Sequence, residues 1–192
     1  MTEVYGNLKT SAVRFLLLVP LLLLSLPSQG EEFLVNDLST RLADDTYLMN
    51  AKIEYRFSEN VLEALQNGVP ITLEIHVQIR RKGAWVWTKD LLDFRSRYQI
   101  RYHALASVYQ VLDLQSGNQQ NFATQSAALD ALGNIADLPL LRSTDMEPGE
   151  TYILAVRTKL DIESLPLPLR PVAYVTPSWR LNSEWSEWHL EP

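Results

Sequence analysis

Three histidines, His76, His103 and His189, are the side chains of this chain best suited to proton transfer or metal binding. None stands at ligand spacing from another, and the chain has no cysteine, so a Cys-containing metal site is impossible. A site of histidine and carboxylate alone has no local signature here. Acid–base catalysis could instead use paired carboxylates held in different environments. Two pairs exist, in "DDT" at 44–46 and "DLLD" at 90–93. The first reads as a turn and the second as a solvated strand edge. Seven glycines form no phosphate-cradling loop, and no G-x-S-x-G elbow occurs. The sequence therefore assigns no catalytic residue, no metal ligand and no cofactor. An envelope hydrolase with dispersed active-site residues stays as a third reading, because groups converging from distant strands leave no local motif.

Recognition chemistry is better represented. "FRSRYQIRYH" places Arg95, Arg97, Arg101 and His103 on one face of an alternating strand, where no acidic residue lies to neutralise them. "WRLNSEWSEWHL" holds Trp179, Trp185 and Trp188 near the end of the chain. An arginine over an indole face contributes about 0.5–2 kcal/mol, depending on desolvation. Three readings of the arginine stripe stand open. It is a solvated face stacked on aromatics or paired with carboxylates elsewhere, an anion or glycan surface, or a protein-partner surface, for which Trp, Tyr and Arg are the favoured anchors. For the tryptophans, packing is the favoured reading. Trp179 and Leu181 share one face and Trp188 and Leu190 another, whereas Trp185, beside Glu187 and His189, is the expected exposed member. The candidate ligand or partner surface is thus Arg95, Arg97, Arg101, His103 and Trp185. "GAWVWTK" at 83–89 places Trp85 and Trp87 on a common side near a strand end.

The elements that must position these residues are mostly strands. "ITLEIHVQIR" puts Ile71, Leu73, Ile75, Val77 and Ile79 on one face, and "YLMNAKIEYRF" does the same for Tyr47, Met49, Ala51, Ile53, Tyr55 and Phe57. "FLVNDLSTRL" is a weaker strand joined to the latter through a turn at "ADDT". "SVYQVLDL" runs into "QSGN" and returns as "QQNFA", and "TYILAVRTKLDI" is a further strand. "SENVLEALQNG" predicts a helix capped by Ser58 and stopped by Gly68 and Pro70. "TQSAALDALGNI" predicts a second short helix capped by Thr124 or Ser126. Three prolines in "SLPLPLRPV" at 164–172 predict extended linkage there. Seven to nine short strands indicate a mainly β chain, an antiparallel β-sandwich with one or two short helices. In "MEPGETYILAV", Tyr152 follows a Pro-Gly turn at the start of an apolar strand. This resembles the tyrosine corner of immunoglobulin and fibronectin type III domains, which ties the hydroxyl to nearby backbone.

The N-terminal thirty residues are different material. Lys9 and Arg14 precede the twelve-residue apolar run "FLLLVPLLLLSL" and a small-residue exit, "PSQG". This reads as a secretory signal peptide over residues 1–30, with an uncleaved anchor as the alternative. A comfortable membrane span needs about 20 apolar residues. Residues 31–192 are then one exported β-sandwich domain, periplasmic or held to the inner membrane by the N-terminal segment. The whole chain has 17 basic and 23 acidic residues; losing Lys9, Arg14 and Glu3 leaves a net charge of −7. Such a surface excludes a nucleic-acid partner.

"LEALQNGVPITLEIHVQIRR", the aromatic "WVW" and the closing "LPLPLRPVAY…WRLNSEWSEW" resemble an exported proteobacterial family, domain of unknown function 4390. The resemblance runs from about Phe33 to Leu190. It implies an envelope protein without an assigned activity, so no catalytic residue carries over. It also implies an accessory role beside a membrane sensor histidine kinase. "WSEW" is in turn similar to the Trp-Ser-x-Trp-Ser motif of cytokine-receptor fibronectin domains, with His189 in place of the final serine. The expected function is a non-enzymatic binding or interaction module with an envelope or membrane protein partner. A carbohydrate or cell-wall ligand is the alternative.

Overall fold

Alternation of apolar and polar side chains dictates two layers. The computed structural model describes residues 33–83 and 90–190. Strands β1 (Leu34–Ala43), β2 (Thr46–Glu54) and β7 (Asn134–Arg142) form a three-stranded sheet in the order β1-β2-β7. Strands β3 (Ile71–Arg81), β4 (Leu92–His103), β5 (Val108–Asp113), β6 (Gln119–Phe122), β8 (Tyr152–Leu160) and β9 (Ser186–Leu190) form a six-stranded sheet. Its order is β6-β5-β4-β3-β8-β9, and every pairing in both sheets is antiparallel. The predicted antiparallel β-sandwich is the observed fold. With β4, β5 and β6 taken as additions to the β3 edge, β1, β2 and β7 stand where the first, second and fifth strands of the immunoglobulin pattern do, opposite β3 and β8.

The odd-numbered residues of β3 from Ile71 to Ile79 face inward and are no more than 2% exposed. They join Met49, Ala51 and Ile53 of the other sheet in one hydrophobic cluster. Each fully buried aliphatic side chain contributes about 1.5–3 kcal/mol, so this interlayer contact is the main source of stability. Tyr152, the first residue of β8, is buried, and its hydroxyl accepts a hydrogen bond from the Glu147 N–H at 2.9 Å. The expected tyrosine corner is therefore present.

Connections follow their residues closely. Asp44 and Asp45 both take positive φ, the conformation that a tight hairpin between twisted strands requires. Helix α1 (Glu59–Gln66) begins at Ser58, whose hydroxyl accepts from the Val61 N–H. It ends at Gly68 (φ 79°), where the Gly68 and Val69 N–H groups donate to the Leu65 and Ala64 carbonyls. That pair of bonds is the Schellman arrangement, and it needs a residue that tolerates the left-handed region. Helix α2 (Gln125–Gly133) is capped by Thr124. At its end a Cβ on Gly133 would lie 2.0 Å from the Ile53 carbonyl oxygen, so only glycine lets the helix meet β2 so closely.

Two segments differ from the sequence expectation. The 164–172 stretch, expected to be extended, turns at Arg170 into a short helix, α3 (Arg170–Val175). Pro171 sits in its first turn, where a missing N–H costs nothing and the fixed φ suits the helix. Strand β7 was not anticipated. It contains Pro139, Asp137 at φ 52°, and two register irregularities against β2. Proline is tolerated there because β7 is an edge strand, with no strand on its far side among the described residues.

Candidate functional site

The outer face of the six-stranded sheet gathers most of the expected recognition residues. On β3 the outward positions are Thr72, Glu74, His76, Gln78 and Arg80, and strand pairing sets their neighbours. His76 lies opposite Arg95 of β4 and Arg157 of β8, while Glu74 lies opposite Arg97 and Lys159. On β9, Glu187 and His189 pair with the outward Ala155 and Ile153. Trp185, just before β9, completes a row across the sheet: Arg95, His76, Arg157, Trp185.

Trp185 is fixed from below. The Arg157 guanidinium carbon lies 4.6 Å from the indole centroid, and the His76 ring centroid lies 5.2 Å from it. The indole nevertheless remains 36% exposed. His76 is buried, although it sits on the outer face of its strand. Its Nε2 meets Asp93 Oδ1 at 2.8 Å. Hydrogen bonds from the Gln78 amide and from His76 hold the Asp93 carboxyl below its ordinary pKa. The carboxylate therefore accepts, and Nε2 is the donor in the pair. Nδ1 is buried and meets no partner among the described residues. The His–Asp pair thus orients the ring beneath Trp185.

The arginine stripe divides. Arg95 is half exposed, its Nε 3.8 Å from Glu74 Oε1, and Arg97 projects freely on the same face. Arg101 instead donates to the Gly68 carbonyl at 3.2 Å and so ties β4 to the end of α1. His103 is half-buried at the far end of the strand. Of the four, only Arg95 therefore lies in the row that ends at Trp185, and Arg97 is the next outward residue along β4. The expectation of an acid-free face is corrected: Asp93 lies on that face of β4, and Glu74 faces it from β3. Glu74 also approaches Lys159 Nζ at 3.3 Å. The arginine over the indole comes from β8, two strands from β4.

The tryptophans separate differently from the expected order. Trp179, in a 3-10 turn (Pro177–Trp179), and Leu181 are buried, as expected. Trp188 pairs with the inward-facing Leu154 and so shares a side with Leu190. Being on the edge strand, it is left 42% exposed, slightly more than Trp185. Trp85 and Trp87 lie outside the described residues.

Residues that the sequence reading passed over complete the site. A cleft of about 440 Å³ opens beside Trp185's stacking partner, lined by Arg157, Lys159, Arg180, Asn182 and the apolar Leu160 and Leu181. The alternation of "TYILAVRTKL" was the only signal available for Arg157 and Lys159. Arg180 reaches the cleft through a turn that carries no periodicity.

Among the described residues no three histidine, aspartate or glutamate side chains converge as a metal ion would need. No helix among them is long and apolar enough to cross a membrane. Comparison with curated proteins and with solved structures gives no match. The model of a family described as a domain of unknown function matches residues 30–189. That match takes in both sheets and every residue of the outer-face row, and the chain belongs to the DUF4390 family.

Proposed function

We propose that this protein is an exported, non-enzymatic interaction module, accessory to a membrane protein of the bacterial envelope. It meets its partner with the outer face of the six-stranded sheet. The observation that carries this reading is the held indole of Trp185, clamped by Arg157 and His76 yet still open to solvent. An anchor already fixed in place loses little side-chain entropy on binding, which is the usual advantage of a preorganised contact. Trp and Arg are also the residues most enriched among interface hot spots. Export rests on the N-terminal apolar run and its small-residue exit. The accessory role rests on what the family resemblance implies.

A sugar plate is less well served by this face. Trp185 is its single tryptophan among the described residues, since Trp188 belongs to the other side of β9. One indole gives a glycan one stacking platform, and the Arg157 guanidinium already stacks on it.

Site-specific photocrosslinking in intact cells tests the reading. A photoreactive phenylalanine at position 97 should give a discrete protein adduct that disappears with Trp185→Ala. The same probe at Lys52, exposed on the opposite sheet, should give none. Equal adduct patterns from both positions would refute the assignment.

A further inference from the structure

The proposed contact face ends in the cleft beside Arg157, and the charges there are unbalanced. Arg157, Lys159 and Arg180 line it, and no acidic side chain does. Two carboxylates of its neighbourhood are already engaged. Glu74 lies between Arg95 and Lys159, while Asp161 accepts from the Glu163 N–H and the Ser164 hydroxyl. Arg157 has no ion-pair partner among the described residues, and its Nε is buried without an acceptor. Arg180 is steadied by donating Nη2 to the Tyr174 carbonyl at 2.6 Å, and it too has no carboxylate partner among them. Arg157 and Arg180 thus bring two guanidinium charges to one cleft with no carboxylate in its lining. A guanidinium presents its donors in a planar fork that fits a carboxylate.

We infer that this cleft receives an acidic side chain from the partner protein, with Arg157 and Arg180 as its principal ligands and Lys159 as a third cation. The inference rests on the reading of the sheet face as a protein-binding surface. Leu160 and Leu181 supply an apolar wall. A segment that pairs a carboxylate with an apolar neighbour therefore fits better than a bare oxyanion. The cleft's volume, several times that of one carboxylate, agrees with this.

The test uses the folded chain from residue 31 onward and three probes: a blocked tetrapeptide alternating aspartate and leucine, its asparagine counterpart, and inorganic phosphate. Titration is followed by the arginine Nε–H and indole N–H resonances, with the Trp185 signal identified by Trp185→Phe. The aspartate peptide should shift the Arg157 and Trp185 signals. The asparagine peptide should bind about ten-fold more weakly or less, because the charge-assisted bonds are gone. Arg157→Gln and Arg180→Gln should each weaken the aspartate peptide by a similar factor, and Lys52→Gln should leave it unchanged. Melting temperatures of the variants establish that the fold persists, and Arg180→Gln at the surface serves if Arg157→Gln loosens Trp185. Equal binding of the two peptides, tighter binding of phosphate than of either, or no shift at millimolar peptide would overturn the inference. An adduct at position 97 together with silent peptides would retain the protein-binding face and remove only the acidic specificity.

Discussion

Two tyrosines of the core allow the same chemical change to be made with opposite expected results. Tyr152→Phe removes an oxygen that accepts the Glu147 N–H at 2.9 Å, while the ring stays buried at 3% exposure. The lost bond is worth about 1 kcal/mol net, and the N–H left behind adds part of its desolvation cost. Glu147 is itself exposed, so water recovers some of that cost, and the total is about 1–2 kcal/mol. For a domain of this size each kcal/mol lowers the melting temperature by about 2–4 °C, giving a fall of about 2–8 °C. Tyr55→Phe should behave differently. Its hydroxyl is buried beside the Thr158 hydroxyl, whose proton already goes to the Glu74 carbonyl, and no hydrogen bond of ordinary geometry reaches it among the described residues; burial pushes the phenol's pKa up. Removing an unsatisfied buried oxygen is neutral or stabilising, so Tyr55→Phe should melt within about 1 °C of wild type or above it. Calorimetric melts, with urea midpoints at unchanged m-value, decide the matter. If Tyr152→Phe melted like wild type, or Tyr55→Phe lost as much as Tyr152→Phe, hydrogen bonding would not be what distinguishes the two sites.

The same reasoning extends to other positions. Trp179→Ala should lose about 3–5 kcal/mol, whereas Trp188→Ala and Trp185→Ala, both substantially exposed, should lose less than half as much by thermal denaturation. Val77→Asp, at a fully buried inward position, should prevent folding as judged by circular dichroism. Gln78→Asp should also destabilise, because it replaces an amide that donates to Asp90 and Asp93 with a third carboxylate. Asp93 gives a pH signature. Its pKa is depressed in the folded state, so its stabilisation is present above the unfolded carboxylate value and is lost as pH falls through the folded one. The melting-temperature gap between wild type and Asp93→Asn should therefore close below about pH 4, and a gap that persists undiminished at lower pH would contradict the pairing. N-terminal sequencing of the envelope-extracted protein should begin near residue 31; recovery of Met1 or Thr2 would instead identify an anchor.

Much of this fold was legible because its central strands alternate apolar and polar residues over most of their length. In β3 every odd residue from Ile71 to Ile79 is apolar and buried, and the cap at Ser58 with the stop at Gly68 bounds α1 by local chemistry alone. Strand β7 was hidden because "NIADLPLLR" breaks alternation and contains a proline, features that only an edge position accommodates. Helix α3 was hidden for a related reason, since a proline that forbids a helix interior is welcome in its first turn. The site was less legible than the fold. Arg95, Arg97 and Trp185 could be named from the sequence, but the His76–Asp93 bond depends on the register of β3 against β4. Arg157 and Arg180 meet across even longer separations. Such convergence is a property of pairing, and no window of sequence contains it.

The broken outline of β7 has a consequence for how a partner engages this protein. Many β domains capture a peptide by letting it extend a sheet, with main-chain bonds supplying affinity to almost any extended segment. Here one sheet ends on one side in a strand interrupted by Pro139, a left-handed aspartate and two slips of register, and on the other in β1, which slips register between Asn36 and Ser39 at the left-handed Asp37. The other ends in the polar four-residue β6 on one side. On its remaining side, β9 holds its Ser186 hydroxyl against the Val35 carbonyl of β1. These margins offer poor templates for strand donation, as protected edges do. A contact read instead by side chains on the broad face depends on charge and on the identity of each residue presented. It weakens as salt screens the arginines, and it distinguishes between segments that a bare sheet margin would treat alike.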